Sequence, residues 1–229
     1  MIIISYGLPK SASTITYTYT EELLLASGIK NGQQKFKAFF KEGFVYKFGI
    51  TSTLLIILIH AFYGSIVIKT HSAPSFFIRF LLKLYATKAT CTIRDPRDIV
   101  LSAIDHGKRK EPNNPFKKFT SINNTLPAII EEFKKCEKWL HYKNILVIRY
   151  ENITQSPATE LHNISNYLSF TLDIKTISII INKYEKTKNL NKNFNKGTTN
   201  RYRSEMSEEE ISLCNSSANK YIHLLGYQL

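Results

Sequence analysis

The sequence predicts a single α/β domain spanning residues 1–229, with a mainly parallel central sheet flanked by helices. Three observations predict it. Short β-branched runs alternate with longer stretches of helical character, the pattern of a doubly wound sheet. No internal repeat and no Pro/Gly/Ser-rich linker divides the chain. A length of 229 residues, 43% of them hydrophobic, is enough for one sizeable core.

The elements follow in order. Ile2–Tyr6 is short, apolar and β-branched, hence a buried strand. A helix is expected from Thr14 to about Ala26, capped by Ser13 or Thr14 and stopped by Ser27-Gly28. Residues 31–48 mix lysines with aromatics and predict loop and short helix. "ITSTLLIILIHAFYG" (50–64) predicts a buried core helix over 51–62, and "SIVIK" (65–69) a second strand. A helix is expected over 76–86, then a third strand at Ala89–Ile93. Pro96 opens and Gly107 closes the next helix. After a polar break at 114–127, a helix is expected from about Pro127 to Tyr142. "NILVIRY" (144–150) is strand four. Helices over 157–169 and 173–186 and a polar loop over 187–204 lead to a last helix, opened by the Ser207-x-x-Glu210 capping box.

Composition narrows the class. Cys91, Cys136 and Cys214 are far apart and lack metal-ligand spacing, so they are expected to be buried or incidental thiols in a reducing compartment. The apolar start is shorter than the about 7–15 residues of a signal h-region, and 50–64 is shorter than the about 20 residues that span a bilayer. The expectation is a cytoplasmic protein with no membrane partner. A net charge of +13 favours an anionic partner, although the lysines are scattered and also fit solvated faces. No basic-aromatic interleave indicates nucleic acid.

Ligands of such sheets bind beyond the carboxyl ends of the strands. Strand one ends in "SYGLPKSAST", strand two in Lys69-Thr70-His71, strand three in Arg94-Asp95-Pro96-Arg97, and strand four in Arg149-Tyr150-Glu151. Cationic and protic groups at all four ends make an anion site with a candidate base. The loop at 7–14 offers backbone amides, hydroxyls and one ammonium at a helix N-terminus, which suits a phosphate. It is not a Walker A loop, because Lys10 comes early and no second glycine precedes it. His71 is the candidate general base. Arg94 and Ser102, eight residues apart, could grip one anionic group. Asp95 and Asp98 read as helix N-terminal charges, and Arg97 as a surface ion-pair partner.

With these four ends assembled, the chain resembles the PAPS-dependent sulfotransferases, whose P-loop-kinase-like sheet binds 3′-phosphoadenosine 5′-phosphosulfate. "YGLPKSAST" resembles their 5′-phosphosulfate loop and "IVIKTHSAP" their Lys-Thr-His strand. "CTIRDPRDIVLSAIDH" is similar to their 3′-phosphate motif, and "VIRYENITQSPATELHNISNYLSF" to the strand and helix beyond. "NKGTTNRYR" resembles their R-K-G-x-x-G-D-W-K loop, and the closing "LLGY" fits as well. The blocks lie in the family's order and cover most of the chain, leaving 31–60 and 108–126 unmatched.

The resemblance implies a reaction and a set of roles. His71, Lys10 and Lys69 would be catalytic: His71 as base toward the acceptor, Lys10 on the leaving phosphate, Lys69 at the reacting centre. Leu8, Pro9, Lys10, Ser11, Ala12, Ser13 and Thr14 would cradle the cofactor's 5′ end. Arg94 and Ser102 would hold its 3′-phosphate, Tyr150 would lie beside the nucleotide, and Lys196 and Gly197 would close over it, with Arg201 or Arg203 as further candidates. The acceptor would be a hydroxyl- or amine-bearing small molecule, and no metal is needed.

Departures from the family pattern are specific. Ala12 replaces a frequent glycine, which requires a negative φ there. Ile15 stands in place of an adenine-stacking Trp. Asn195, Asn200, Tyr202 and Arg203 replace the Arg, second Gly, Trp and Lys of the last loop. Phe36, Phe39, Phe40, Phe44, Tyr46 and Phe48 could wall the acceptor pocket, or belong to the core. The competing readings are a P-loop-type nucleotide or small-molecule kinase, which lacks its Mg²⁺-binding residues here, and a catalytically silent nucleotide-binding protein of the same fold.

Overall fold

The computed structural model describes residues 1–83, 87–109, 114–187 and 196–229 of the chain. Ala86 at the expected end of the fourth helix, part of the 108–126 segment, and residues 188–195 of the 187–204 loop, with Asn195, lie outside them. The strands are β1 (Ile2–Gly7), β2 (Ile66–Thr70), β3 (Thr87–Ile93) and β4 (Ile145–Arg149). Among the described residues they form one sheet in the order β2-β1-β3-β4, with every pairing parallel. The chain passes from β1 to β2 on one side and then to β3 on the other. The order therefore reverses between β1 and β3, where an open α/β sheet leaves a crevice.

The first helices are α1 (Ser13–Ala26), α2 (Gln33–Phe39), α3 (Ile50–Tyr63) and α4 (Phe76–Lys83). After β3 come α5 (Pro96–Gly107) and α6 (Ile122–Leu140). After β4 come α7 (Tyr150–Gln155), α8 (Pro157–Leu168), α9 (Ile174–Thr187), α10 (Tyr202–Glu205) and α11 (Glu208–Leu224). The period-2 alternation of the strands sends Ile2, Ile4 and Tyr6 to one core, shared with Ile99 of α5, Phe133 of α6 and Ile222 of α11. Ile3, Val67 and Ile148 go to a second core on the opposite face, built with Leu23 of α1, Leu161 of α8 and Ile180 of α9. Parallel strands buried on both faces explain the near-continuous apolar runs of β1 and β2.

Three expectations are corrected. The helix expected from Pro127 begins at Ile122 and carries Pro127 inside it. The Asn124 side chain accepts from the Ser121 amide at 3.2 Å, so an N-terminal box sets the start rather than the proline. Tyr150 opens α7 instead of ending strand four. α3 is no buried core helix: Thr53, Ile56 and Ile59 are covered, while Ile50, Leu54, Leu58 and Phe62 are more than half exposed. The cysteines are buried free thiols, as expected, with Cys91 and Cys136 Sγ atoms 3.7 Å apart.

Candidate active site

The crevice at the carboxyl ends of β1, β2 and β3 is a cavity of about 490 Å³. Its floor is the β1–α1 loop. Gly7 is required there, because a Cβ on it would lie 2.6 Å from the Cβ of Ser13 and 3.1 Å from that of Thr92. Leu8 is buried in the core, and its carbonyl accepts the Ser11 hydroxyl at 2.7 Å. Ser11 also bonds the Thr92 carbonyl at 3.0 Å, so its side chain ties the loop to β3. Pro9, Lys10, Ala12, Ser13 and Thr14 line the cavity.

The loop turns through two left-handed residues, Lys10 (φ 64°) and Ala12 (φ 68°). The expectation of a negative φ at Ala12 is thus overturned. The tight reversal from β1 into α1 overrides the local preference of a Cβ-bearing residue, at a cost of about 1–2 kcal/mol. Ala12 is the N-cap of α1 and has no side-chain acceptor to offer. The first-turn amides of Ser13, Thr14 and Ile15 therefore remain without an intrahelical or side-chain cap partner, beside the positive end of the helix dipole. That is an anion cradle. The Lys10 ammonium lies over the Phe116 ring, 5.4 Å from its centroid.

At the end of β2, the Lys69 ammonium donates to the Thr14 hydroxyl at 2.7 Å. Burial lowers its pKa to about 8, partly opposed by the Glu42 carboxylate. His71 Nδ1 lies 2.6 Å from the Gly7 carbonyl oxygen. A carbonyl can only accept, so Nδ1 carries the proton and Nε2 has a free lone pair. Burial pushes the imidazole down to about 4, against the Gly7 hydrogen bond, and the Lys69 and Lys135 charges add to the depression. His71 is therefore neutral at pH 7, with Nε2 unprotonated.

At the end of β3, Arg94 is buried and packs flat on Tyr150, its guanidinium carbon 3.7 Å from the ring centroid. It donates to the Lys10 carbonyl at 3.2 Å, to the Thr198 carbonyl at 2.9 Å and to Asp98 at 3.3 Å, while its buried Nε–H has no partner among the described residues. Ser102 lines the same wall with Gly197. Asp98 does more than complement the helix dipole, because its second oxygen accepts from the Tyr202 amide at 3.1 Å. The surface role expected for Arg97 is wrong. It is buried, chelates Asp95, bonds Asn215 and the Gln228 carbonyl, and stacks on Tyr202. It anchors the C-terminal segment.

Lys196 pairs with Glu205 at 2.9 Å, outside the cavity lining. Arg201 is buried between Asp105 and Glu205, and Arg203 lies against the Tyr202 hydroxyl. The Arg201–Asp105 pair ties the start of α10 to the last turn of α5.

Several lining residues escaped sequence analysis. Tyr184 of α9 and Thr154 of α7 border the cavity, and the buried Tyr184 hydroxyl has no partner among the described residues. The only sequence signal was the apolar stripe Ile177, Ile180, Tyr184 ending in a phenol. On the other side stand Glu42, Phe44, Tyr46, Phe116, Glu132 and Lys135. Of the six aromatics considered for an acceptor wall, Phe44 and Tyr46 line the cavity and Phe36 and Phe48 are core. The strand-like register of 44–46, with Val45 N bonded to the Lys69 carbonyl at 2.9 Å, turns alternate side chains opposite ways. Among the described residues no group of His, Cys, Asp and Glu could hold a metal ion.

An anion cradle, a neutral histidine and a buried arginine thus border one crevice at the carboxyl edge of a parallel sheet. The sulfotransferase domain model matches residues 59–222, and the chain belongs to the sulfotransferase domain family. No curated protein sequence matches the chain. Among solved structures, retinol dehydratase in complex with retinol and PAP is similar at a TM-score of 0.65 and 16% identity, over 100% of this chain and 82% of that one. Retinol dehydratase with androsterone and the inactive cofactor PAP gives 0.66 and 16%, over the same shares. Mouse sulfotransferase SULT7A1 complexed with PAP gives 0.64 and 15%, over 97% of this chain and 84% of that one.

Proposed function

We propose that this protein is a PAPS-dependent sulfotransferase acting on a hydroxyl or amine of a small-molecule acceptor. The observation that carries the reading is the convergence of Lys10, Lys69, His71, Arg94 and Ser102 on one cavity. The cavity suits a doubly phosphorylated nucleotide at each end. The cradle at 12–14 fits the 5′ side. The unpartnered Nε–H of Arg94 and the Ser102 hydroxyl fit the 3′-phosphate. Between them, Ile15, Tyr150 and Tyr184 supply apolar surface for a base. Gly197 borders the 3′ side, and Lys196 would reach it on leaving Glu205.

Bound there, 3′-phosphoadenosine 5′-phosphosulfate would supply the sulfuryl group. Nε2 of His71, set free by the commitment of Nδ1 to Gly7, accepts the proton of the acceptor's nucleophile. Lys10 and the amides of the cradle hold negative charge at the 5′ end, already oriented before it develops. Lys69, fixed by Thr14, places a second positive charge between cradle and base. Two of the similar structures are complexes of retinol dehydratase with retinol or androsterone together with PAP, and Phe44, Tyr46 and Phe116 give this cavity an apolar side suited to such acceptors.

Calorimetry with 3′,5′-diphosphoadenosine, AMP and ATP–Mg²⁺ tests this. The diphosphate should bind best, and Arg94→Ala should weaken it by about tenfold to a hundredfold, the worth of charge-assisted hydrogen bonds. Ser102→Ala, which leaves no buried charge behind, is the control for misfolding. Preference for ATP–Mg²⁺ would sink the proposal in favour of a kinase.

A further inference from the structure

Among the described residues nothing covers the outer face of α3. Ile50, Leu54, Leu58 and Phe62 are 65%, 55%, 52% and 69% exposed, and their spacing of four residues sets them on one side along the whole helix. No charged residue occurs between Ile50 and Tyr63. A helix apolar all round is normally buried, and a continuous exposed apolar face marks an interaction surface.

The surroundings decide what covers it. From Ala26 to Lys83 the chain has eight Lys and Arg residues and one acidic residue, Glu42. The basic groups bracket α3. Exposed Lys47 precedes its first turn, and at its other end the Lys35 ammonium lies 5.7 Å from the Tyr63 ring centroid. The Lys30 backbone receives the Ser65 amide just beyond. A second copy would bring two basic rims face to face, in a chain of net charge +13. An anionic lipid surface satisfies both the apolar stripe and its rim. The helix has 14 residues, about 21 Å, too short for the about 30 Å of hydrocarbon. No described helix is long and apolar enough to cross a membrane.

We infer that α3 docks the protein on anionic membranes, lying in the headgroup layer with its Ile50–Leu54–Leu58–Phe62 face inserted. The inference departs from the expectation of no membrane partner, which rested on the lengths of the apolar runs. Tyr46, 82% exposed and lining the cavity, lies four residues ahead of Ile50, so docking sets the mouth of the active site at the bilayer surface. An apolar acceptor dissolved in the membrane would then enter directly.

The test is flotation of the full chain with phosphatidylcholine vesicles, with and without phosphatidylglycerol, at low and high salt. The protein should float with the phosphatidylglycerol vesicles and release as salt rises. Leu54→Ser/Leu58→Ser, both changes on the exposed face, should lower the partition coefficient by about tenfold or more, with circular dichroism unchanged. No flotation at low salt, or equal flotation of the double variant, overturns the inference. So does light scattering that finds a dimer abolished by the same variant, with no vesicle binding. The assay needs no turnover, so it stands or falls independently of the sulfotransferase reading.

Discussion

The Nδ1 atom of His71 lies 2.6 Å from the carbonyl oxygen of Gly7, joining the end of β2 to the end of β1 across the crevice. This bond selects the tautomer that exposes Nε2, and burial keeps the ring neutral with a pKa of about 4. His71→Ala should lower kcat by about 10²–10⁴-fold with little change in diphosphonucleotide affinity. In the wild type, activity should show no acidic limb at the usual histidine pKa near 6.5.

The same depressed pKa links stability to pH. Between about 6.5 and about 4, the unfolded chain binds a proton at His71 that the folded chain does not, so stability falls as pH is lowered through this window. His71→Gln cannot titrate, and its amide can still donate to Gly7. Denaturant midpoints of the two proteins should therefore converge as pH drops from 7 to 4. Parallel curves would refute the assignment.

Lys69 titrates at about 8 because it is buried beside Thr14. Affinity for 3′,5′-diphosphoadenosine should decline as pH rises through 8, where the ammonium loses its charge. Lys69→Arg keeps its charge throughout this range and should remove that alkaline limb. The measurement is calorimetric binding from pH 7 to 9.5 in both proteins, a range of about two units around the group.

Asp98 is fully buried, pairs with Arg94 and accepts the Tyr202 amide. Removing its charge leaves a buried guanidinium partly uncompensated, which costs about 3–5 kcal/mol. Asp98→Asn should lower Tm, and a bound diphosphonucleotide should raise the variant's Tm by more than it raises the wild type's. An equal ligand-induced rise would show that the anion is not placed against Arg94.

Ala12→Gly relieves a left-handed alanine at the N-cap of α1. Stability should rise by about 1 kcal/mol, read as a higher Tm, because the strain removed exceeds the added entropy of the unfolded glycine. The cradle amides stay in place, so nucleotide affinity should change little.

Much of the site was legible because it follows a local rule. In a parallel sheet, function gathers at the carboxyl ends of strands, and each of those ends could be read from a short apolar run and the polar residues after it. Lys10, Lys69, His71, Arg94 and Tyr150 reach the cavity in this way, and Ser102 does so from within α5, eight residues after Arg94. Arg97 was misread because its burial depends on Asn215 and Gln228, residues more than a hundred positions away. Lys196 is adjacent to Gly197 in sequence, yet Glu205 draws it outward. Tyr184 and Glu132 reach the cavity from helices whose facing is set by packing.

By itself the sequence determined the alternation of strands and helices, the parallel sheet, and which chemical groups stand at its edge. Those depend on hydrophobic period and on turn residues a few positions apart. Tertiary structure decided how those groups are used. It set the left-handed turn at Ala12, the tautomer of His71, the lowered pKa of Lys69, and the half-covered state of α3. These depend on surroundings assembled only by folding: the carbonyl of Gly7 against His71, the burial of Lys69, and the absence of any element over Leu54 and Leu58 among the described residues.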